Sequence, residues 1–224
     1  MRKLLYVPIL HSSADMGSVA PSLENKGIAM TGIEGWESHK KTISKFWDSI
    51  EEYFKSLKVK GLQIYQDGLP ADDELGMKVV NSAAAKGSKN YQIIKDLVSK
   101  GAKLVKTEDI TILMKEVDLI KKMANSESKI KRLAIALKYK MLKNKMLRER
   151  DEFIADRINK TLAKNGVIFI GAYHNIIPLL DKDITVEEVK EKTKVEEYQN
   201  IFFLKSKEGR IKELAEYLAT PVKV

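Results

Sequence analysis

Three histidines stand in 224 residues, and two of them end apolar runs. His11 follows the run 4–10, and His174 follows 167–170 through Gly171, Ala172 and Tyr173. Acids end two further runs, Asp67 after 62–65 and Glu108 after 102–106. The run ending at His174 is preceded by a helical pattern with Leu147, Ile154, Ile158 and Leu162 at one period. Asp151 falls on that apolar stripe, and Arg150 lies beside it, in line with Met146 and Phe153. A carboxylate on an apolar face is costly unless paired or wetted by a pocket. Either the pair is a solvated helix charge, or Arg150 and Asp151 point toward the end of the next strand. Ligands of open α/β sheets bind at the carboxyl ends of the strands, so the second reading gathers His11, Asp67, Glu108, Arg150, Asp151 and His174 at one edge.

The chemistry of such a set follows from its donors. Two neutral imidazoles and a carboxylate, here His11, His174 and Asp67, bind a divalent metal such as Zn, Mn or Co and leave a position for water. The metal would lower the water's pKa and polarise a carbonyl or phosphoryl group. Asp67 or Glu108 would be ligand or general base, and Arg150 would hold an anionic group. Without metal, a histidine–carboxylate pair can move protons by itself. There is no His-Glu-x-x-His and no Gly-x-Ser-x-Gly, and 87–89 lacks phosphate-loop spacing. Zero cysteines exclude disulfides, thiolate metal sites and thiol nucleophiles.

The order of Arg150-Asp151, a turn at 164–166, an apolar strand and then Gly171-Ala172-Tyr173-His174 resembles the TraB/TIKI and erythromycin-esterase/ChaN-like superfamily. In that superfamily a first strand also ends in a histidine, usually as Gly-x-x-His. Here Pro8 stands in the glycine's place before His11. An acid at the end of the second family strand corresponds to Glu34, after Gly32 and Ile33. The close resemblance covers 148–174. Its members include metal-dependent proteases, an esterase and a haem-binding lipoprotein, so the resemblance leaves the chemistry open; a peptidase- or esterase-type hydrolase with a peptide or small-molecule substrate is one of the expectations it implies.

These residues need a scaffold that brings strand ends together. Strands alternating with helices predict an α/β fold, a mostly parallel central sheet flanked by helices. The expectation is one domain over 1–224 with a hairpin-like helical segment at about 110–163, broken near 125–128. Ile130, Leu133, Leu137, Met141 and Leu142 are expected on the buried side of its second helix, where a second subunit could also pack. An amphipathic helix is expected over 38–57, whereas Gly32 and Gly35 argue against regular helix over 19–37. Asn90 is read as a helix cap, Thr185 as the cap of a helix over 186–198, 201–204 as a last strand and 208–218 as the closing helix.

Charge separates further readings. The net charge is +9, and 129–150 alone holds nine Lys or Arg against one acid, Glu149. The plain reading is a solvated helix face. The alternative is contact with nucleic acid or acidic lipid, but Tyr139 is the segment's one aromatic, which supports base stacking poorly. No apolar run approaches the ~20 residues of a membrane span. The first residues read as a core strand rather than a signal peptide, which points to the cytoplasm. High Lys and Glu without Cys suits a thermophile. The expected function is therefore a metal-assisted hydrolase. The alternatives are a non-catalytic protein holding a small anion or cofactor through Arg150, and nucleic-acid contact through 129–150.

Overall fold

A computed structural model of the protein describes residues 1–126 and 128–222. Five strands, β1 (Arg2–Ile9), β2 (Gln63–Gln66), β3 (Lys103–Val105), β4 (Asn165–Gly171) and β5 (Ile184–Glu188), form one parallel sheet in the order β3-β2-β4-β1-β5. The fold is α/β, as strand–helix alternation predicts.

The central strands are apolar almost throughout because both of their faces are covered. Leu5, Val7 and Ile9 of β1, with Val167 and Phe169 of β4, belong to the core on one face. Leu4 and Tyr6, with Ile168 and Ile170, belong to the core on the other. That is the strand period of two. The first core is completed by α1 (Ala20–Lys55), α3 (Lys89–Ser99), α6 (Lys192–Ile201) and α7 (Glu208–Ala219), and α2 (Asp73–Ala85) packs against α3. The second is completed by the carboxyl-terminal half of α5 (Lys129–Thr161), through Ile154 and Ile158. Helix α4 (Ile110–Ala124) pairs with α5 as the expected hairpin. The break between them falls at 125–128, of which residue 127 lies outside the described residues.

Local expectation and structure part in several places. The stretch 19–37 is helical apart from Gly32, whose φ of 78° breaks α1 into two runs. Ser88, not Asn90, caps α3, its Oγ accepting from the Tyr91 N–H. The helix expected over 186–198 begins only at Lys192. Residues 184–188 instead pair with Arg2–Tyr6 of β1, and tertiary pairing overrides local propensity. Nor is 201–204 a strand. Val195, Tyr198 and Phe202 share one buried helical stripe, and the helical period prevails. On α5, Ile130, Leu133, Leu137 and Met141 are exposed rather than buried. Among the described residues no helix is long and apolar enough to cross a membrane.

Candidate active site

The register sets the strand ends side by side. Gln66 lies opposite Phe169, and Ile9 opposite Gly171. The Asp67 N–H continues the ladder to the Phe169 carbonyl at 2.8 Å, and Gly68, with φ 79°, turns the chain away. The Asp67 carboxylate thereby lies over the end of β4, where its Oδ2 accepts from the Gly171 N–H at 3.2 Å. A Cβ at Gly171 would come within 3.3 Å of that oxygen and 3.4 Å of the His174 ring. The close approach is the reason for a glycine.

Five side chains form one chain of alternating charge across this edge. Glu108 Oε1 accepts from Arg150 Nε at 3.0 Å and Nη2 at 2.6 Å. Arg150 Nη2 also reaches Asp67 Oδ1 at 2.6 Å. Asp67 Oδ2 lies 3.3 Å from His174 Nε2, and His174 Nδ1 lies 2.5 Å from Asp151 Oδ1. Asp151 Oδ2 accepts from the Asn175 N–H at 3.0 Å. Glu108, Asp151 and His174 are buried, while the Asp67 and Arg150 side chains are each 14% exposed and form the solvent-facing part. Asp151 sits on the stripe of Ile154 and Ile158, so the sequence's charge on an apolar face is a buried, paired one.

The electrostatics follow from these partners. Burial works to lower the His174 pKa, but its bonds to Asp151 and Asp67 and the Asp67 charge outweigh it and raise it to about 9. That shift favours a ring protonated on both nitrogens at neutral pH, with Nδ1 donating to Asp151 Oδ1 and Nε2 facing Asp67 Oδ2 as an ion pair at 3.3 Å. Burial also disfavours the Asp67 carboxylate. His174, the Arg150 charge and the Gly171 N–H overcome that and hold Asp67 well below the usual carboxylate range. Glu108 moves the other way. Its burial, with the Asp67 charge, outweighs the Arg150 bonds and the Gly68 N–H and raises its pKa. Neighbouring carboxylates are thus pushed apart, a pattern of sites that handle protons.

Sequence reading missed the polar layer beneath. Asn90 Nδ2 donates to Gln66 Oε1 at 3.0 Å, and Gln66 Nε2 to the Asp67 carbonyl at 3.0 Å. The buried Thr107 hydroxyl donates to the Gln66 carbonyl. The available signal was polar Gln66 closing an apolar run before Asp67. Tyr6 was missed because its strand reads as plain core. Its hydroxyl is buried without a partner among the described residues, in the field of Glu188, Asp151 and Asp67.

Two expected members stand apart. His11 leaves the same edge as His174, yet it is exposed, and its side chain has no hydrogen bond or ion pair among the described residues. Leu10 is fixed by its carbonyl to Trp47 Nε1 at 2.9 Å, on the α1 side of the sheet. His11 accordingly lines a cavity of about 280 Å³ with Ser12, Trp36, Tyr173 and Phe202. Glu34 is exposed in α1, because 27–33 forms helix and not a strand, and it borders a groove against α7. The proposed ligand set of His11, Asp67 and His174 is therefore not assembled. Among the described residues no group of three or more His, Asp or Glu side chains is arranged to hold a metal.

The third histidine, His39, and the loop acid Asp15 have structural partners. His39 bonds Tyr198 at 2.8 Å and stacks on Phe202, and burial lowers its pKa to about 4. Asp15 accepts from the Ser12 N–H at 2.6 Å and from the Ser88 hydroxyl, tying the loop after β1 to the start of α3. Comparison of the chain with protein-family models, curated proteins and solved structures finds no match.

Proposed function

We propose that the protein is a hydrolase of esters or amides that works by acid–base catalysis at Asp67 and His174. The observation that carries this reading is the position of His174 between two carboxylates, with Asp151 fixing one ring nitrogen and Asp67 facing the other. Asp67, held ionised, takes a proton from the water that attacks the substrate carbonyl. His174 gives its Nε2 proton to the leaving oxygen or nitrogen. Transfer of the proton from Asp67 back to His174 closes the cycle. Arg150 and Glu108 are positioning residues that aim Asp67 and set its charge. The resemblance of 148–174 to the TraB/TIKI and erythromycin-esterase/ChaN-like superfamily points the same way.

Metal assistance fits less well. A catalytic zinc takes three protein ligands, and among the described residues His174 Nε2 and Asp67 Oδ2 face one another without a third donor arranged beside them. Anion capture by Arg150 is also disfavoured, because its guanidinium is bonded to two carboxylates and the chain of five holds three acids against two cations. A non-catalytic ligand-binding role is the second reading, favoured by the cavity beside His11.

The test is a panel of activated esters and peptide amides with the chain, His174→Gln and Asp67→Asn. Each variant should lose about 10²–10⁴-fold in kcat while keeping its far-UV circular dichroism. Turnover unaltered in both variants, or none on any substrate beside saturable ligand binding, would contradict the proposal.

A further inference from the structure

The amino-terminal half of α5 has two apolar faces and one partner. Ile135, Tyr139 and Leu142 are half-buried and lead into buried Met146, which marks the side turned toward the rest of the protein. On the opposite side Ile130, Leu133, Leu137 and Met141 are 82%, 63%, 55% and 81% exposed. At 100° per residue these four fall within an arc of roughly 80°. Of the side chains described between 110 and 145, no apolar one is buried. Single exposed leucines need no explanation, but an aligned stripe of large apolar side chains marks a surface that meets something.

Charge says what. Between 129 and 148 there are eight Lys or Arg and no acid. Lys131, Lys138 and Lys145 flank the stripe on one side and Lys140 on the other. Among the described residues no acid pairs with Lys131, Lys138, Lys140 or Lys143. A second copy of this helix would bring like charge against like charge. Nucleic acid would satisfy the lysines and leave the Ile, Leu and Met in water. A surface with negative headgroups over an apolar layer satisfies both at once, with lysine stems lying along the stripe and ammonium groups at headgroup level.

We propose that residues 130–145 of α5 dock on an anionic lipid bilayer, lying in its interface without crossing it. Anionic lipid attracts the uncompensated lysines, and the stripe of Ile130, Leu133, Leu137 and Met141 enters the acyl boundary. The site chemistry is independent of this surface, because α5 is buried only from Met146 onward, where it meets the sheet and carries Arg150 and Asp151.

Co-sedimentation of the full chain with phosphatidylcholine vesicles, with and without phosphatidylserine, tests it. Binding should require phosphatidylserine and weaken as salt rises. Leu133→Asp combined with Leu137→Asp should weaken binding by about tenfold or more, and so should Lys138→Glu combined with Lys140→Glu. All four positions are exposed, so circular dichroism should match the parent. Four results would overturn the proposal: no binding at low salt; binding indifferent to the Leu→Asp pair; a dimer, formed without vesicles, that the Leu→Asp pair abolishes; or tighter binding to a duplex nucleic acid than to the vesicles.

Discussion

His174 Nε2 and Asp67 Oδ2 face each other at 3.3 Å, although 107 positions separate them in sequence. Strands β2 and β4 are neighbours; Asp67 directly follows the end of β2, and His174 stands three residues past the end of β4, in a turn closed by its N–H to the Gly171 carbonyl at 3.0 Å. Asp151 clamps the far nitrogen of the ring. The pair is set by sheet register on one side and by a helix on the other.

The rate should depend on pH through this pair. With His174 as the acid, turnover should be level at neutral pH and fall as pH rises through about 9. The acid limb should lie below the usual carboxylate range, where Asp67 finally takes a proton. A pH–rate profile checks both limbs. A rate that climbs through the alkaline step would make His174 a base and reverse the assignment.

Stability should carry the same signature. The His174 pKa is raised from 6.5 to about 9 in the folded chain, so its contribution is complete below 6.5 and is lost as pH rises through about 9. Lys190 has the opposite sign, because burial lowers its pKa from 10.5 to about 8 and stability then gains with pH above that point. His39, lowered from 6.5 to about 4, also opposes the fall at the lower edge, so the fall should be steepest inside the window 6.5 to 8 and weaker at both ends. Urea unfolding across it should show stability falling with pH, by at most about 1.4 kcal/mol per unit. His174→Gln should flatten that slope, and an equal slope in the variant would refute the linkage.

Arg150 lies between Asp67 and Glu108, both largely shielded from water. Removing one partner of a buried ionic group leaves uncompensated charge and costs roughly 3–5 kcal/mol. Arg150→Met should approach that loss, and adding Glu108→Gln should recover part of it. Arg150→Lys should rescue poorly, since a single ammonium cannot reproduce a guanidinium that bonds through both Nε and Nη2. Chemical denaturation of the three variants reads the series directly.

Much of this site was legible because strand ends are local features. Asp67, Glu108 and His174 each follow an apolar run, and Asp151 interrupts a helical stripe at a position where only a partner makes burial tolerable. His11 follows an apolar run too, so the sequence treats it as the equal of His174. What separates them is the layer each loop turns toward, and Trp47 holding the Leu10 carbonyl decides that from far along the chain. Glu34 failed for a related reason: the glycine-rich stretch 27–33 reads equally as a short strand or a helix entry, and one residue, Gly32, absorbs the irregularity within α1. Strand β5 was hidden because its pairing partner is the amino-terminal strand. The exposed stripe of α5 was misread as core because apolar periodicity records that a face exists, not what covers it.

Everything rests on His174 being a doubly protonated ring held between Asp151 and Asp67. An NMR titration of the histidine ring nitrogens, with His174→Gln used to assign the signals, measures this directly. The account predicts that His174 carries protons on both nitrogens at pH 7 and titrates near 9. A midpoint at or below the ordinary 6.5 of histidine, or a ring with one bare nitrogen at neutral pH, would contradict it.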